Sequence, residues 1–378
     1  MIIAISVPSG AHARVLLLSL KRLFEADPDV DKVICITPAA PYRDKLFPRY
    51  KDKFDFTAEF PARADIVVTT TSGLDPKDVP ILQTARQRNI PTLTYVESWD
   101  NIWKMVKLKK KGKPLALADH VVVWNEINRQ HLLRAFPELS PGQVTPIGSP
   151  RLDLFWHEDK IPSKEELLKH LGFSDFSRPL IHFSTTELYP MDYIVKAVAQ
   201  NIQGANLYAS VHPGGNMANH ESLKQTGAIV KYSFGRHPEN PLEEFKYNPS
   251  LEELYLLVAL FRHSDLLINH SSTTAIESML ADVPVINVKY GRPLDWWRFS
   301  HSPVSQDFHE HYADVVSDGA TKVVKNKRQL VESVKYYLAH PEQDRSARQA
   351  TLKKMITTTD GTGSQKVFDK IKSCALAP

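Results

Sequence analysis

The sequence predicts an α/β protein made of two Rossmann-like, doubly wound domains that face a cleft. Three observations carry the prediction. Short apolar runs bounded by turn residues alternate with amphipathic stretches along most of the chain, the rhythm of a parallel sheet. That rhythm breaks once, over the polar segment Asp153–Ser177, and then restarts. A chain of 378 residues also exceeds the size that one hydrophobic core usually serves. The expected partition is an N-terminal domain over 1–160 and a C-terminal domain over 161–378, with the last helix free to pack back on the first domain.

Taken in order, Ile2–Val7 is too short and too uniformly apolar for a helix and reads as a buried strand. A small-residue loop then leads into a helix over Ala11–Glu25. The β-branched runs Val33–Thr37 and Ile66–Thr70 are strands. A helix occupies Asp75–Arg88, and strands follow at Pro91–Val96 and His120–Trp124. A helix at Asn125–Phe136 precedes the strand Val144–Ile147, which ends in Gly148-Ser149-Pro150. Past a short helix at Lys164–His170, the second series runs Pro179–Phe183 (strand), Met191–Gln200 (helix), Asn206–Val211 (strand) and Leu251–Arg262 (helix). The hydrophilic stretch Gly235–Pro249 between the last two reads as a loop. A strand at Thr321–Val324 and helices at Arg328–Ala339, Asp344–Ile356 and Ser364–Cys374 close the chain.

Composition narrows the function. Hydrophobic and charged fractions of 42% and 24% are those of an ordinary globular protein. A formal net charge of +4 gives no bulk signal for nucleic acid. No apolar run approaches the roughly 18 residues of a spanning helix. The first residues read as a strand rather than a signal peptide. Only two cysteines occur: Cys35 inside an apolar run, read as a buried thiol, and Cys374, read as a free thiol near the tail. Both suit a reducing, cytoplasmic setting. No GxSxG, Walker or GxGxxG pattern is present, which disfavours serine hydrolases, NTPases and dehydrogenases.

The most informative stretch is Ser264–Tyr290. It reads as a short strand, a polar turn (Asn269, His270, Ser271, Ser272), a helix opened by hydroxyls through Thr273 and Thr274, and a second strand at Val285–Val288. Hydroxyls and free amides beyond the carboxyl end of a strand are where open α/β sheets hold phosphate. Asn206–Asn216 delivers a second candidate: a strand ending in His212-Pro213, followed by Gly214-Gly215, where a ligand can approach the backbone. His212 can donate to a phosphate oxygen while Ser271 and Ser272 hold another. In the first half, Tyr95–Asn101 (YVESWDN) brings Glu97 and Asp100 to a strand end, with Trp99 as an apolar platform for a sugar ring. A carboxylate there can act as general base on an acceptor hydroxyl. His12, in the loop after the first strand, is the rival base.

Strand-HP followed by strand-SS-helix-DxPV-strand resembles glycosyltransferases of the GT-B fold. His212-Pro213 with Ser271-Ser272 is similar to the HP and SS motifs of CMP-sugar-using sialyltransferases and Kdo transferases, and of the CDP-glycerol glycerophosphotransferases. Ser272 through Leu280 resembles the donor helix of lipid A disaccharide synthase. The resemblance implies that Glu277 contacts donor hydroxyls; otherwise it is a solvated or helix-dipole-stabilising carboxylate. In the glycerophosphotransferases a tryptophan-histidine motif supplies the base near the position of Trp99, and here Asp100 stands instead of that histidine.

The implied activity is a metal-independent, inverting glycosyltransferase using a CMP- or CDP-linked donor in surface polysaccharide or glycoconjugate synthesis. A non-hydrolysing sugar-nucleotide 2-epimerase shares the fold, and a non-catalytic nucleotide- or glycan-binding subunit is a further alternative. The six lysines of Lys104–Lys113 form a solvated face, or one that attracts a lipid-linked acceptor or the inner face of a membrane. Leu294–Phe299 (LDWWRF) is interdomain packing or an aromatic platform. No metal-ligand spacing is found, and the aspartates of Asp27–Asp31 read as a turn.

Overall fold

The computed structural model describes residues 1–71, 78–293 and 295–376. The helix expected over 75–88 begins outside those residues, and its described part is Val79–Gln87. The chain divides into two compact units: Met1–Trp156 with Gly235–Leu251 and Ile356–Pro378, and His157–Phe234 with Glu252–Met355. The first-domain boundary expected at 160 therefore falls a few residues early, and two later segments belong with the first unit.

The first unit holds a seven-stranded parallel sheet: β1 (Ile2–Ser6), β2 (Lys32–Ile36), β3 (Phe54–Thr57), β4 (Ile66–Thr71), β5 (Thr92–Val96), β6 (His120–Val123) and β7 (Val144–Pro146). Its order is β3-β2-β1-β4-β5-β6-β7. The second unit repeats the scheme with β8 (Leu180–Ser184), β9 (Asn206–Val211), β10 (Ile229–Tyr232), β11 (Leu266–Asn269), β12 (Val285–Val288) and β13 (Lys322–Val324) in the order β10-β9-β8-β11-β12-β13. All neighbouring strands are parallel. In each sheet the order reverses once, between β1 and β4 and between β8 and β11. Such a switch point opens a ligand crevice at the carboxyl ends of the strands.

Sequence reading misses β3 and β10, and both are outermost strands. Edge strands are half-exposed and short, so FDFT and IVKY lack the apolar continuity that marks the central strands. The central ones are buried on both faces, as in Leu93-Thr94-Tyr95-Val96, because helices cover both sides of a parallel sheet.

The segment 235–249, expected as a loop, is anchored in the first unit. Phe245 is fully buried, edge-on to Phe47. Tyr247 presses on the helix start so closely that a Cβ at Gly10 would lie 1.8 Å from its carbonyl oxygen. Two aromatic anchors hold an otherwise polar stretch.

The final helix, Gly363–Ala375, buries Val367, Phe368, Ile371 and Cys374 in the core that also contains Cys35. Cys374 is a free thiol, as expected, but it does not lie on a loose tail: the helix turns it inward at 2% exposure. The helix is capped from afar. Asp153 accepts from the Gly363 and Ser364 amides at 3.0 and 2.6 Å, satisfying two otherwise orphan donors. Lys372 pairs with Asp27 and Asp29 at 2.8 Å each, which gives the aspartate-rich turn a structural role. No helix among the described residues is long and apolar enough to cross a membrane.

Candidate active site

In the second unit, β8 lies between β9 and β11, so the turns after β9 and β11 rise on either side of its end. The first is His212-Pro213-Gly214-Gly215, closed by the Gly215 amide donating to the His212 carbonyl at 2.8 Å. His212 is exposed, and its Nδ1 accepts from the Gly214 amide at 3.1 Å. That bond occupies the Nδ1 lone pair, so the neutral ring carries its proton on Nε2 as a donor. A Cβ on Gly215 would meet Glu187 Oε1 at 2.5 Å.

The second turn carries Ser271, Ser272 and Thr273, all half-buried. Ser271 donates to Asp307 Oδ2 at 2.8 Å, and Ser272 Oγ accepts from the Thr274 amide at 3.3 Å. Thr273 is the N-cap residue, yet its side chain makes no capping bond. The row of capping hydroxyls expected from sequence therefore reduces to Ser272. The helix they open, Thr274–Leu280, has seven residues, so its dipole is short. It ends in a Schellman turn: Asp282 adopts φ 59°, its amide bonds Met279, and the Val283 amide bonds Ser278. Glu277 is buried at 7% exposure, which rules out the solvated-carboxylate reading.

A buried polar brace holds this turn. The Asn287 amide, on β12, reaches Asn269 Oδ1 (2.6 Å), the His270 carbonyl (3.0 Å) and the Tyr312 hydroxyl (2.9 Å). His270 donates from Nδ1 to the Val288 carbonyl at 2.7 Å, and burial pushes its pKa down to about 4, so it is a neutral structural group. The cluster Leu294–Phe299 divides in its described part. Phe299 packs edge-on to Tyr189 at 5.2 Å, whereas Trp296 and Trp297 are 72% and 63% exposed. Leu294 lies outside the described residues.

Sequence spacing showed no metal set, but folding brings one together: ligand atoms of Asp307, Glu310 and His311 lie within 4.8 Å of one another. Two carboxylates and an imidazole are a donor set for a divalent cation. It sits one hydrogen bond from Ser271.

In the first unit, β4 separates β1 from β5. His12 follows β1 in a helix interrupted by a π-helical stretch at Ala13–Leu18, and it is 2% exposed with Nδ1 2.7 Å from Ser9 Oγ. π-Bulges are frequent at functional sites. Glu97 and Asp100 follow β5, and each is 9% exposed. Their surroundings differ. Burial raises the Glu97 pKa, against the pull of Arg14, Arg151 and Lys104. Arg14 approaches Glu97 to 3.8 Å and is itself held by the Tyr247 hydroxyl. Asp100 instead forms an ion pair with Lys104 at 2.7 Å. Trp99 is 1% exposed, so the expected sugar platform is a core residue; Asn128 donates to its carbonyl at 2.9 Å. Of the lysines after Asp100, five (107, 109, 110, 111 and 113) are exposed along the end of the helix Asn101–Lys110 and beyond it.

The group that sequence reading misses here is Asp78. It is 7% exposed, accepts from the Ser6 hydroxyl at 2.5 Å, and burial raises its pKa to about 7. Glu97 is close enough to raise it further. Nothing in the local sequence marks it, since one aspartate before a helix usually reads as a cap.

Two doubly wound parallel sheets with these turns define the class: a two-domain α/β protein of the GT-B fold. More particularly, residues 237–373 match the CDP-Glycerol:Poly(glycerophosphate) glycerophosphotransferase family, a stretch that contains Ser271, Ser272 and Glu277. Among solved structures, the wall teichoic acid polymerase TagF is similar at 11% identity and a TM-score of 0.64, over 99% of this chain and 88% of that one. UDP-GlcNAc 2-epimerase from Neisseria meningitidis, bound to UDP-GlcNAc, is similar at 13% identity and a TM-score of 0.64, over 99% and 100% of the two chains. S. aureus MnaA, in a structure with UDP, is similar at 16% and a TM-score of 0.61, over 98% and 96%. No curated protein matches the chain in sequence. The resemblance drawn from the HP and SS motifs is borne out at the level of fold and of this family match.

Proposed function

We propose that the chain is a transferase that takes a group activated on a cytidine nucleotide, glycosyl or glycerol phosphate, and passes it to a hydroxyl of a surface polymer or glycoconjugate. One observation carries the reading: the His212 and Ser271 turns flank β8 at the ligand edge of the second sheet, and the Ser271 turn lies inside the family match. The Nε2–H of His212 would donate to the phosphate of the donor as negative charge gathers on it, and the hydroxyl of Ser271 would do so by turning its one proton from Asp307 to the phosphate. Ser272 and Thr273 line the same turn, Pro213 and Gly214 shape the other, and Glu277 orients the donor.

The acceptor oxygen forms a new bond to the transferred carbon or phosphorus while the bond to the nucleotide phosphate breaks. The electron pair leaves with the nucleotide, and the hydroxyl proton passes to a base. We assign that base to Glu97. A general base works best with a pKa near the working pH, and burial moves Glu97 in that direction. Asp100 is instead engaged by the ammonium of Lys104 at 2.7 Å. His12 is the rival. The exposed lysines after Asp100 would attract an anionic acceptor or the membrane surface that carries it. No step is routed through a metal.

A second reading, a UDP-sugar 2-epimerase, is favoured by the likeness to two structures solved with UDP ligands and by the paired buried carboxyls Asp78 and Glu97, which suit proton transfer. Chromatographic assay of CDP-glycerol, CMP-sugars and UDP-GlcNAc, each with and without a polyol phosphate acceptor, separates the readings. CMP released only with acceptor supports the transferase. Conversion of UDP-GlcNAc without acceptor supports the epimerase, and binding without turnover of any donor supports a non-catalytic subunit.

A further inference from the structure

Between the two phosphate turns, the loop after β8 carries a carboxylate to which the site above gives no part. Glu187 Oε1 lies 2.5 Å from His220 Nε2, and Oε2 accepts from Asn219 Nδ2 at 2.8 Å. The Asn216 backbone amide also donates to it. Its three partners all belong to the segment that follows the HPGG turn. On the turn itself, Gly215 comes so close that any side chain there would strike Glu187 Oε1. His220 is 4% exposed, so the carboxylate is seated on a buried imidazole rather than on a mobile surface cation. Burial works against the charge of Glu187, but the donations from His220 and Asn219 outweigh it and keep the carboxyl below its usual pKa.

We infer that Glu187, seated on His220, is a positioning residue for the phosphate-binding His212: it clamps residues 215–220 from the β8 side and so holds the turn in which the Gly214 amide fixes the His212 tautomer. The consequence for ligand affinity rests on the donor-site reading; the clamp itself does not. A turn held in one conformation offers Nε2–H to a phosphate continuously. A turn that samples others binds with an affinity reduced by the fraction of time it is competent.

The ring nitrogens of His212 report the clamp directly. In histidine-labelled protein, 15N–1H correlation through the imidazole should show His212, assigned by its loss in His212→Ala, as a single Nε2–H tautomer. Glu187→Ala should shift it towards a mixture of tautomers while the buried His182 and His270 signals stay in place. Glu187→Gln, which keeps an acceptor oxygen, should stay near wild type. The same Ala variant should bind CDP about tenfold more weakly, the cost of a turn competent about one-tenth of the time. Unchanged His212 ring signals in Glu187→Ala would overturn the inference. Should wild-type protein fail to bind CDP, the donor-site reading falls, and the ring signals still decide the clamp.

Discussion

Asp78 gives the sharpest test of the first unit's electrostatics. Burial shifts its carboxyl from 3.8 to about 7. At about 1.4 kcal/mol per pH unit, ionising it in the folded state costs at most about 4 kcal/mol more than in the unfolded chain. The sign follows from proton counting. Between pH 3.8 and about 7 the folded state holds the proton and the unfolded state has lost it. Stability therefore falls as pH rises through that window. The penalty is absent below the unfolded value and complete above the folded one. Asp78→Asn keeps an oxygen for the Ser6 hydroxyl and never ionises. It should match wild type near pH 4 and exceed it by up to about 4 kcal/mol near pH 8.5. Urea unfolding followed by the fluorescence of Trp99 and Trp124, both buried in the first unit, measures this at a series of pH values. Because the Glu97 charge contributes to the shift, Glu97→Gln should move the wild-type midpoint to lower pH. A difference between Asp78→Asn and wild type that is constant with pH would refute the reasoning.

Three further outcomes follow from the sites. His212→Ala and Ser271→Ala should each weaken CDP binding by about tenfold or more, the range for a hydrogen bond to a charged group, and calorimetric titration reads it; unaltered affinity for both would remove the donor site. Glu97→Gln should abolish most turnover while sparing nucleotide affinity, whereas Asp100→Asn should retain more activity; the reverse order in initial rates would return the base role to Asp100. Asp282→Asn keeps a residue that tolerates the left-handed backbone and an acceptor oxygen, but removes the charge that faces Arg348, which is 1% exposed and lies 2.7 Å from the Asp282 carboxylate while also donating to the Gln343, Pro341 and Asp282 carbonyls. A loss of about 1 kcal/mol or more is expected, and thermal or denaturant unfolding showing none would contradict that pairing.

Much of this architecture is legible in the chain because it depends on local order. Apolar runs such as Ile2–Ser6 and Leu266–Asn269 can only be strands of a covered parallel sheet, and their alternation with helices dictates the doubly wound form. The turns bearing His212 and Ser271 were legible for the same reason: glycine, proline and hydroxyl residues crowd at the ends of those strands. What the sequence could not decide are matters of distance between remote residues. Trp99 looks like a platform in YVESWDN, yet packing buries it. Asp153, more than two hundred residues before the last helix, caps it. The carboxyl of Asp78 is shifted upward only because folding buries it and brings Glu97 near, and only the fold sets Glu187 Oε1 2.5 Å from where a Cβ on Gly215 would lie. Burial and charge proximity are properties of the assembled sheets, and a pattern that fixes the order of strands leaves them open.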